Sequence, residues 1–437
     1  IRSQPRSRGL GDVYKRQTDW RLIWERHLNE LFFGRERTVN DEIANRILEN
    51  IDVEYAIDIV QKMVRTPSVV GDEGPFGQEL TKWLEALDIG TVWYEDIDGT
   101  RGNVLWQING SGHGPRFLLT GHLDTKPVCE GWNRDPYGGE REGSRIFGHA
   151  IMDMKAGLAC QIAAMKALVD SNVELAGTLI FAGVADHMGD QSGAIHLVEY
   201  LEFDHAVLGE PTDMEIYVAH RGRYYFDLST IGHSAHTCHR DQAINAIEKI
   251  LPVIEEISQI EHIPGVTPEI AELVGENLIL AVGRIYGGLF PGGPSMIPDR
   301  CTIRVDTRPQ PGVTVDEVQG LLEAATARAE AKDPEIKTEL VLADRKDAFM
   351  VPRDAPVVRH ISAAWERIMS KPSIYSGGSW LADTASMGTS VETVIFGPGG
   401  DPVYQPNEFL EITDIEQACQ INALTAAMAL VPGMTDG

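Results

Sequence analysis

The chain has 437 residues, 43% apolar and 24% charged, a balance that supports folded domains with a sizeable core. Its formal net charge of -27 argues against nucleic acid and anionic membranes as partners. No apolar run approaches the ~20 residues of a membrane span, and five scattered cysteines without a C-x-x-C pair point to reduced thiols in a cytoplasmic protein.

Residues 1–17 begin at Ile1 and end in D-V-Y-K-R-Q (Asp12 to Gln17). Those six codons can be written as the transposon end used in sequencing-library preparation, so the segment is expected to be adapter-derived rather than native. Residues 18–52 read as a helical N-terminal extension: Trp20, Ile23, Trp24, His27 and Leu28, then Ile43, Ile47 and Ile51, recur at helical spacing. A helix over 54–64 ends before T-P-S-V-V-G. Short apolar strands then alternate with helices: W-Y-E-D-I, N-V-L-W-Q-I and F-L-L-T-G, a helix over 154–171, T-L-I-F-A-G-V-A, a further helix and H-A-V-L-G. This alternation predicts an α/β fold with a mixed sheet covered by helices. From about 216 the pattern changes to α+β, with strands over 224–230, 278–286 and 299–307 and helices over 242–257 and 315–331. After 344 the α/β character returns, with helices over 355–369 and 414–430. The expected organisation is a discontinuous larger domain, 53–215 and 343–437, interrupted by an inserted α+β domain at 216–342.

Three groups stand in order at strand ends. F-L-L-T-G-H-L-D-T-K-P-V places His122 and Asp124 just past a buried strand, on one side, where the acid can orient the imidazole while the other ring nitrogen binds a metal. F-G-H-A-I-M-D-M-K-A-G puts Asp153 at a helix start, beside free N–H groups and the positive dipole end. V-L-G-E-P-T ends a strand with Glu210, where Pro211 bars further regular pairing. Each alone is ordinary, a loop histidine, an N-cap acid, a solvated loop acid. Together they mark the C-terminal edge of a sheet, where open α/β folds bind ligands.

With these go G-W-N-R-D-P-Y (131–137), A-H-R-G (219–222), G-H-S-A-H-T (232–237), I-P-D-R-C (297–301), V-D-T-R (305–308) and F-G-P-G (396–399). The ordered set resembles the M20 metallopeptidase family, the group of aminoacylases, acetylornithine deacetylases, succinyl-diaminopimelate desuccinylases and glutamate carboxypeptidases, over about residues 52–430. The resemblance implies a zinc-peptidase-like catalytic domain, an insert acting as lid and dimerisation domain, and Zn2+ as cofactor, with Co2+ or Mn2+ as alternatives. Residue by residue, it implies that His122, Asp153 and Glu210 hold one metal, with Asp153 bridging to a second. Asp124 would support His122. His236 would polarise the scissile carbonyl, often from across a homodimer. Arg308 and Arg221 would meet the substrate carboxylate.

The departures fall at V-A-D-H-M-G-D-Q-S-G (184–193), where the family carries D-E-E, a general base followed by a ligand of the second metal. This chain has Asp186, His187 and Met188. Tyr404 replaces a second-metal histidine before P-N-E, and Ser295 stands where Asn is usual before I-P. Two losses strike the same metal, yet three protein ligands are enough for a catalytic mononuclear zinc. What is missing is a proton shuttle, for which Asp186, His187 and Asp190 are the candidates. His187, with an unperturbed pKa of ~6.5, suits that task or ligation of a shifted second metal. Tyr404 suits an oxyanion hydrogen bond or fills vacated space. The expected function is metal-dependent cleavage of the amide of an N-acyl amino acid or small peptide. The competing readings are a non-catalytic homologue that keeps the cleft for a metal or ligand, and a hydrolase of another bond such as an N-carbamoyl group.

Overall fold

The computed structural model describes residues 40–288, 295–388 and 391–434. The expected tail at 1–17 and most of the 18–52 extension lie outside them. Residues 40–49 are helical; Ala44 and Ile47 are buried, with Ile43 and Ile51 packed beside them. Asp52 caps the next helix, Val53–Arg65, by accepting from the Tyr55 N–H, and Glu54 opens it where the helix dipole favours an acid.

Among the described residues, nine strands form the large sheet. In spatial order they run Thr91–Asp96, Gly102–Asn109, Thr178–Val184, Arg116–His122, His205–Leu208, Glu392–Ile395, Ile216–His220 and Phe349–Met350, with Tyr375–Gly378 also pairing Ile216–His220. The four central strands are mutually parallel. They are near-continuous apolar runs because both faces are covered. Phe117 and Leu119 face the helical core, while Leu118 packs with Ile180 and Ala206 on the other side. Helix Ala156–Asp170, apolar on all sides, lies buried against the C-terminal helix Ile412–Leu430. Parallel pairing brings His122, Val184, Leu208 and Ile395 to one edge, so the loops that follow all four strands converge there.

The insert's four-stranded sheet is antiparallel, in the order Ile279–Gly287, Arg300–Arg308, Arg223–Ile231, Thr338–Lys346. Tyr224, Phe226 and Leu228 alternate inward with Cys301, Ile303 and Val305, against helices Ala246–Ile257 and Val315–Lys332. Arg223, Tyr225, Arg308 and Asp306 take the opposite face.

The insert boundaries move from those expected. Ile216–His220 pairs within the large sheet, and Thr338–Lys346 within the small one. The crossings therefore fall at 221–222 and 347–348 rather than at 216 and 343. An apolar alternation reads the same in either sheet, which is why the pattern alone misplaced them. Gly222 permits the crossing, since a Cβ there would stand 2.7 Å from the Ala348 nitrogen. Helix Pro268–Val274, although inserted in sequence, packs Leu273 and Val274 into the core of the large domain. Among the described residues no helix is long and apolar enough to cross a membrane.

Candidate active site

His122 ends its strand with the ring fixed from behind: Nδ1 meets the Asp124 main-chain oxygen at 2.8 Å. Nε2 then faces Asp153 Oδ1 at 2.8 Å and Glu210 Oε2 at 3.6 Å. The His187 ring stacks on it, centroids 4.3 Å apart and planes 12° from parallel. His187 Nε2 lies 3.8 Å from Glu210 Oε1, and its Nδ1 is held by Asp383 Oδ1 at 2.9 Å. His122, His187 and Glu210 thus offer ligand atoms within 4.8 Å of one another. Asp153 does not cap a helix as expected. It sits in an irregular turn, Ile151–Lys155, with non-helical φ and ψ, and the helix begins at Ala156.

The cluster fits a divalent metal. Glu210 Oε1 is buried and has no hydrogen-bond partner, a state that costs about 1–3 kcal/mol for an ordinary polar group. Two imidazole nitrogens and a carboxylate are donors that zinc and its neighbours accept, and Asp383 behind His187 is the outer carboxylate that fixes a ligating ring. Burial pulls the His122 imidazole down, but Glu210 and Asp153 outweigh it and its pKa stands well above the usual value. Burial likewise lowers His187, and Asp383 reverses it, to about 9. Burial raises the Glu210 carboxyl. Burial also opposes the Asp153 carboxylate, yet its bond to His122 holds it below the usual range.

The turn at 185–190 carries Asp186, His187 and Asp190. Asp124 does not orient His122 with its carboxylate, which stands 4.0 Å from Nδ1. It accepts instead from the main-chain N–H groups of His187 at 2.9 Å and Met188 at 2.8 Å. Asp186 points away from the cluster at φ 66°. Its Oδ1 takes Arg101 Nη1 at 2.7 Å and its Oδ2 takes Ser192 Oγ at 2.7 Å. Buried Glu73 accepts from its N–H at 3.1 Å. Gly189 makes room for this carboxylate, since a Cβ would come within 2.1 Å of Asp186 Oδ1. Asp190 is exposed and does not line the cleft. Of the three candidates only His187 reaches the cluster.

A cleft of about 440 Å³ opens above the cluster, between the sheet edge and the insert. Asp153, His187 and Glu210 line its floor, Arg223, Tyr225 and Arg308 its insert side. Asp306 grips the Arg308 guanidinium at 2.8 and 3.0 Å. Arg221 is absent from the lining. It is buried, and its nitrogens donate to the main-chain oxygens of Val274, Arg308 and Gly275 at 2.8, 2.9 and 3.0 Å. The Tyr404 hydroxyl, lining the cleft, donates to the Asp153 main-chain oxygen at 3.2 Å. His236 is exposed on the insert, its Nδ1 accepting from the Cys238 N–H at 3.2 Å, away from the lining residues. Asp383, Arg223, Tyr225, Trp380 and Lys126 were not anticipated. R-G-R-Y at 221–224 held a signal for Arg223, but Asp383 reaches His187 from 196 residues away, with no local mark.

Residues 118–427 match the model of peptidase family M20/M25/M40. An acetylornithine deacetylase of Salmonella arizonae is 28% identical over 368 residues, 81% of this chain and 92% of that protein. A tripeptidase from Staphylococcus aureus shares the fold with a TM-score of 0.68 at 18% identity, covering 86% of this chain and 99% of its own. An M20 family metallo-carboxypeptidase from Sulfolobus solfataricus gives 0.68 at 17%, covering 85% and 98%.

Asp186→Ala is expected to remove the closest acid of Arg101, which keeps Asp98 and Glu73, and to lower stability by about 1.5–3 kcal/mol, the worth of a charged hydrogen bond, read by urea unfolding, while the folded protein keeps its metal. Lost turnover at full stability would return Asp186 to the chemistry. Glu408, buried under the Asp153 turn, accepts from the Met152 N–H at 3.3 Å, and burial pushes its carboxyl from 4.5 up to about 7. The folded chain therefore holds this proton more tightly than the unfolded chain. The stabilising contribution is full below about pH 4.5 and lost as pH rises through about 7. Glu408→Gln removes that dependence, so the stability gap between variant and wild type should change between pH 4.5 and 8. A constant gap would mean an ordinary carboxyl.

Proposed function

The chain belongs to peptidase family M20/M25/M40 and is a metallohydrolase acting on amide bonds; from that premise we propose that it cleaves an N-acyl amino acid or small peptide at a centre holding one metal. The observation that carries this reading is the stack of His187 on His122, both facing Glu210, with Asp383 behind. His187 stands in the D-x-x segment where the family has its base, yet its place beside His122 and Glu210 supports a ligand role. His122, His187 and Glu210 would hold the metal, with Asp153 beside His122. Zinc is the proposed ion, since two imidazoles and one carboxylate form a donor set of catalytic zinc. When bound, such a metal polarises a carbonyl and lowers the pKa of water to about 7.

The remaining roles belong to the chain. Asp383 fixes the tautomer of His187, so that Nε2 is the nitrogen offered to the cleft. With His187 and Glu210 occupied, Asp153 is the cluster carboxylate that lines the cleft and can accept a proton. Burial pushes the Tyr404 phenol up, so it stays protonated and donates. Arg308, held rigid by Asp306, meets the substrate carboxylate. His236, exposed on the insert, serves the cleft of a second copy in a homodimer, as the family resemblance implies. Five free cysteines suit a cytoplasmic setting.

The test is metal content by elemental mass spectrometry after dialysis against dilute zinc, alongside release of amino acid from N-acetyl amino acids. About one zinc per chain is expected, lost in His122→Ala and in His187→Ala. Asp383→Asn should weaken metal affinity by about 10–100-fold. Full retention of zinc in His187→Ala would refute the ligand assignment. Metal without turnover of any N-acyl amino acid or peptide would favour the non-catalytic reading.

A further inference from the structure

The chain has 38 basic residues against 65 acidic ones, yet the insert presents a row of cations at the cleft. Tyr224 pairs opposite Thr307, and Arg223 opposite Lys346. Arg308, Arg223 and Lys346 therefore share one rung at the ends of three adjacent strands. Like charges side by side destabilise a sheet unless acids or a ligand neutralise them. The neutralisation is uneven. Arg308 has both Asp306 oxygens, and Lys346 Nζ is taken up by Ser386 Oγ at 2.9 Å and the Asp190 main-chain oxygen at 3.1 Å. Arg223 has a single hydrogen bond, Nη2 to Asp344 Oδ2 at 2.7 Å, and its Nε is buried with no partner. The guanidinium lies 4.8 Å from the Tyr225 ring centre, which limits its movement. Arg223 and Arg308 both line the cleft, and Lys126 joins them from the sheet edge.

A substrate with one carboxylate needs one of these arginines. We propose that Arg223 forms a second carboxylate subsite, so that the amide substrate carries two carboxylates, one met by Arg308 and one by Arg223. This rests on the amide-hydrolase reading and on Arg308 as the first subsite. The second carboxylate belongs either to the amino-acid side chain or to the acyl group, and the same guanidinium reads both.

The experiment compares N-acetylglutamine, N-acetylglutamate and N-succinylglutamine with the full-length, metal-replete protein, as wild type, Arg223→Gln and Arg328→Gln. Arg328 lies on helix Val315–Lys332, outside the cleft lining, and is ion-paired to Glu256 at 2.7 Å as Arg223 is to Asp344, so its variant controls for loss of a paired cation away from the cleft. One dianion should exceed N-acetylglutamine in kcat/KM by about tenfold or more, the worth of a charged hydrogen bond, chiefly through KM. Arg223→Gln should erase that ratio, and Arg328→Gln should keep it. The preferred dianion identifies which carboxylate is read. Equal kcat/KM for all three in wild type, preference for N-acetylornithine, or a ratio that survives Arg223→Gln overturns the proposal. If no amide is cut, the hydrolase reading fails, and calorimetry decides the subsite on its own. Glutarate binding about tenfold tighter than butyrate in wild type, but not in Arg223→Gln, supports it; equal affinity in wild type overturns it.

Discussion

The site depends on the carboxylate of Asp124. It is fully buried, at the end of one central strand, and accepts the N–H groups of His187 and Met188 at the end of the next. Charge-assisted bonds to main-chain donors are among the stronger ones a protein makes. Here they clamp two loops that parallel pairing brings to one edge. The clamp sets where the His187 ring lies, and the Asp124 carbonyl sets where the His122 ring lies. One residue thus aligns both imidazoles, through its side chain for one and its backbone for the other.

Around that clamp, charge is divided between two separate buried groups. Arg101, Glu73 and Asp186 form an ion pair network on the far side of the turn. His122, His187, Asp153, Glu210 and Asp383 form the cluster facing the cleft. The left-handed backbone at Asp186 keeps them apart by turning its carboxylate away. In the second group a metal would compete with protons for the same nitrogens, so its affinity should fall steeply as imidazoles protonate. Asp383 contributes to both states, holding His187 whether the ring binds a proton or an ion.

His122, Asp153 and Glu210 were legible because each follows an apolar run or a glycine-marked turn that announces a strand end or a helix start. The change from buried runs to alternating strands marks where the chain passes from the nine-stranded to the four-stranded sheet. The direction of the Asp186 side chain was not, since D-H-M-G gives no indication that Asp186 takes φ 66°. Asp124 was singled out for the right neighbourhood and the wrong contact, because i and i+2 proximity does not say whether carbonyl or carboxylate meets the ring. Asp383 was beyond reach, as only the tertiary fold brings it to His187.

The exchange of Arg221 for Arg223 at the cleft follows from strand parity. Successive residues of a strand point to opposite faces, and a crossing between sheets resets which parity faces the site. Gly222 is that crossing. Arg221 therefore finishes the large-sheet strand with its guanidinium buried among carbonyls, while Arg223 opens the small-sheet strand facing the cleft. Arg221 still bears on the substrate side, because one of its bonds holds the main-chain oxygen of Arg308. Its other bonds hold the end of helix Pro268–Val274, packed into the large domain. The guanidinium thus ties the strand that carries Arg308 to the body that carries the cluster. Its part is one of position, fixing how far Arg308 stands from His122, His187 and Glu210.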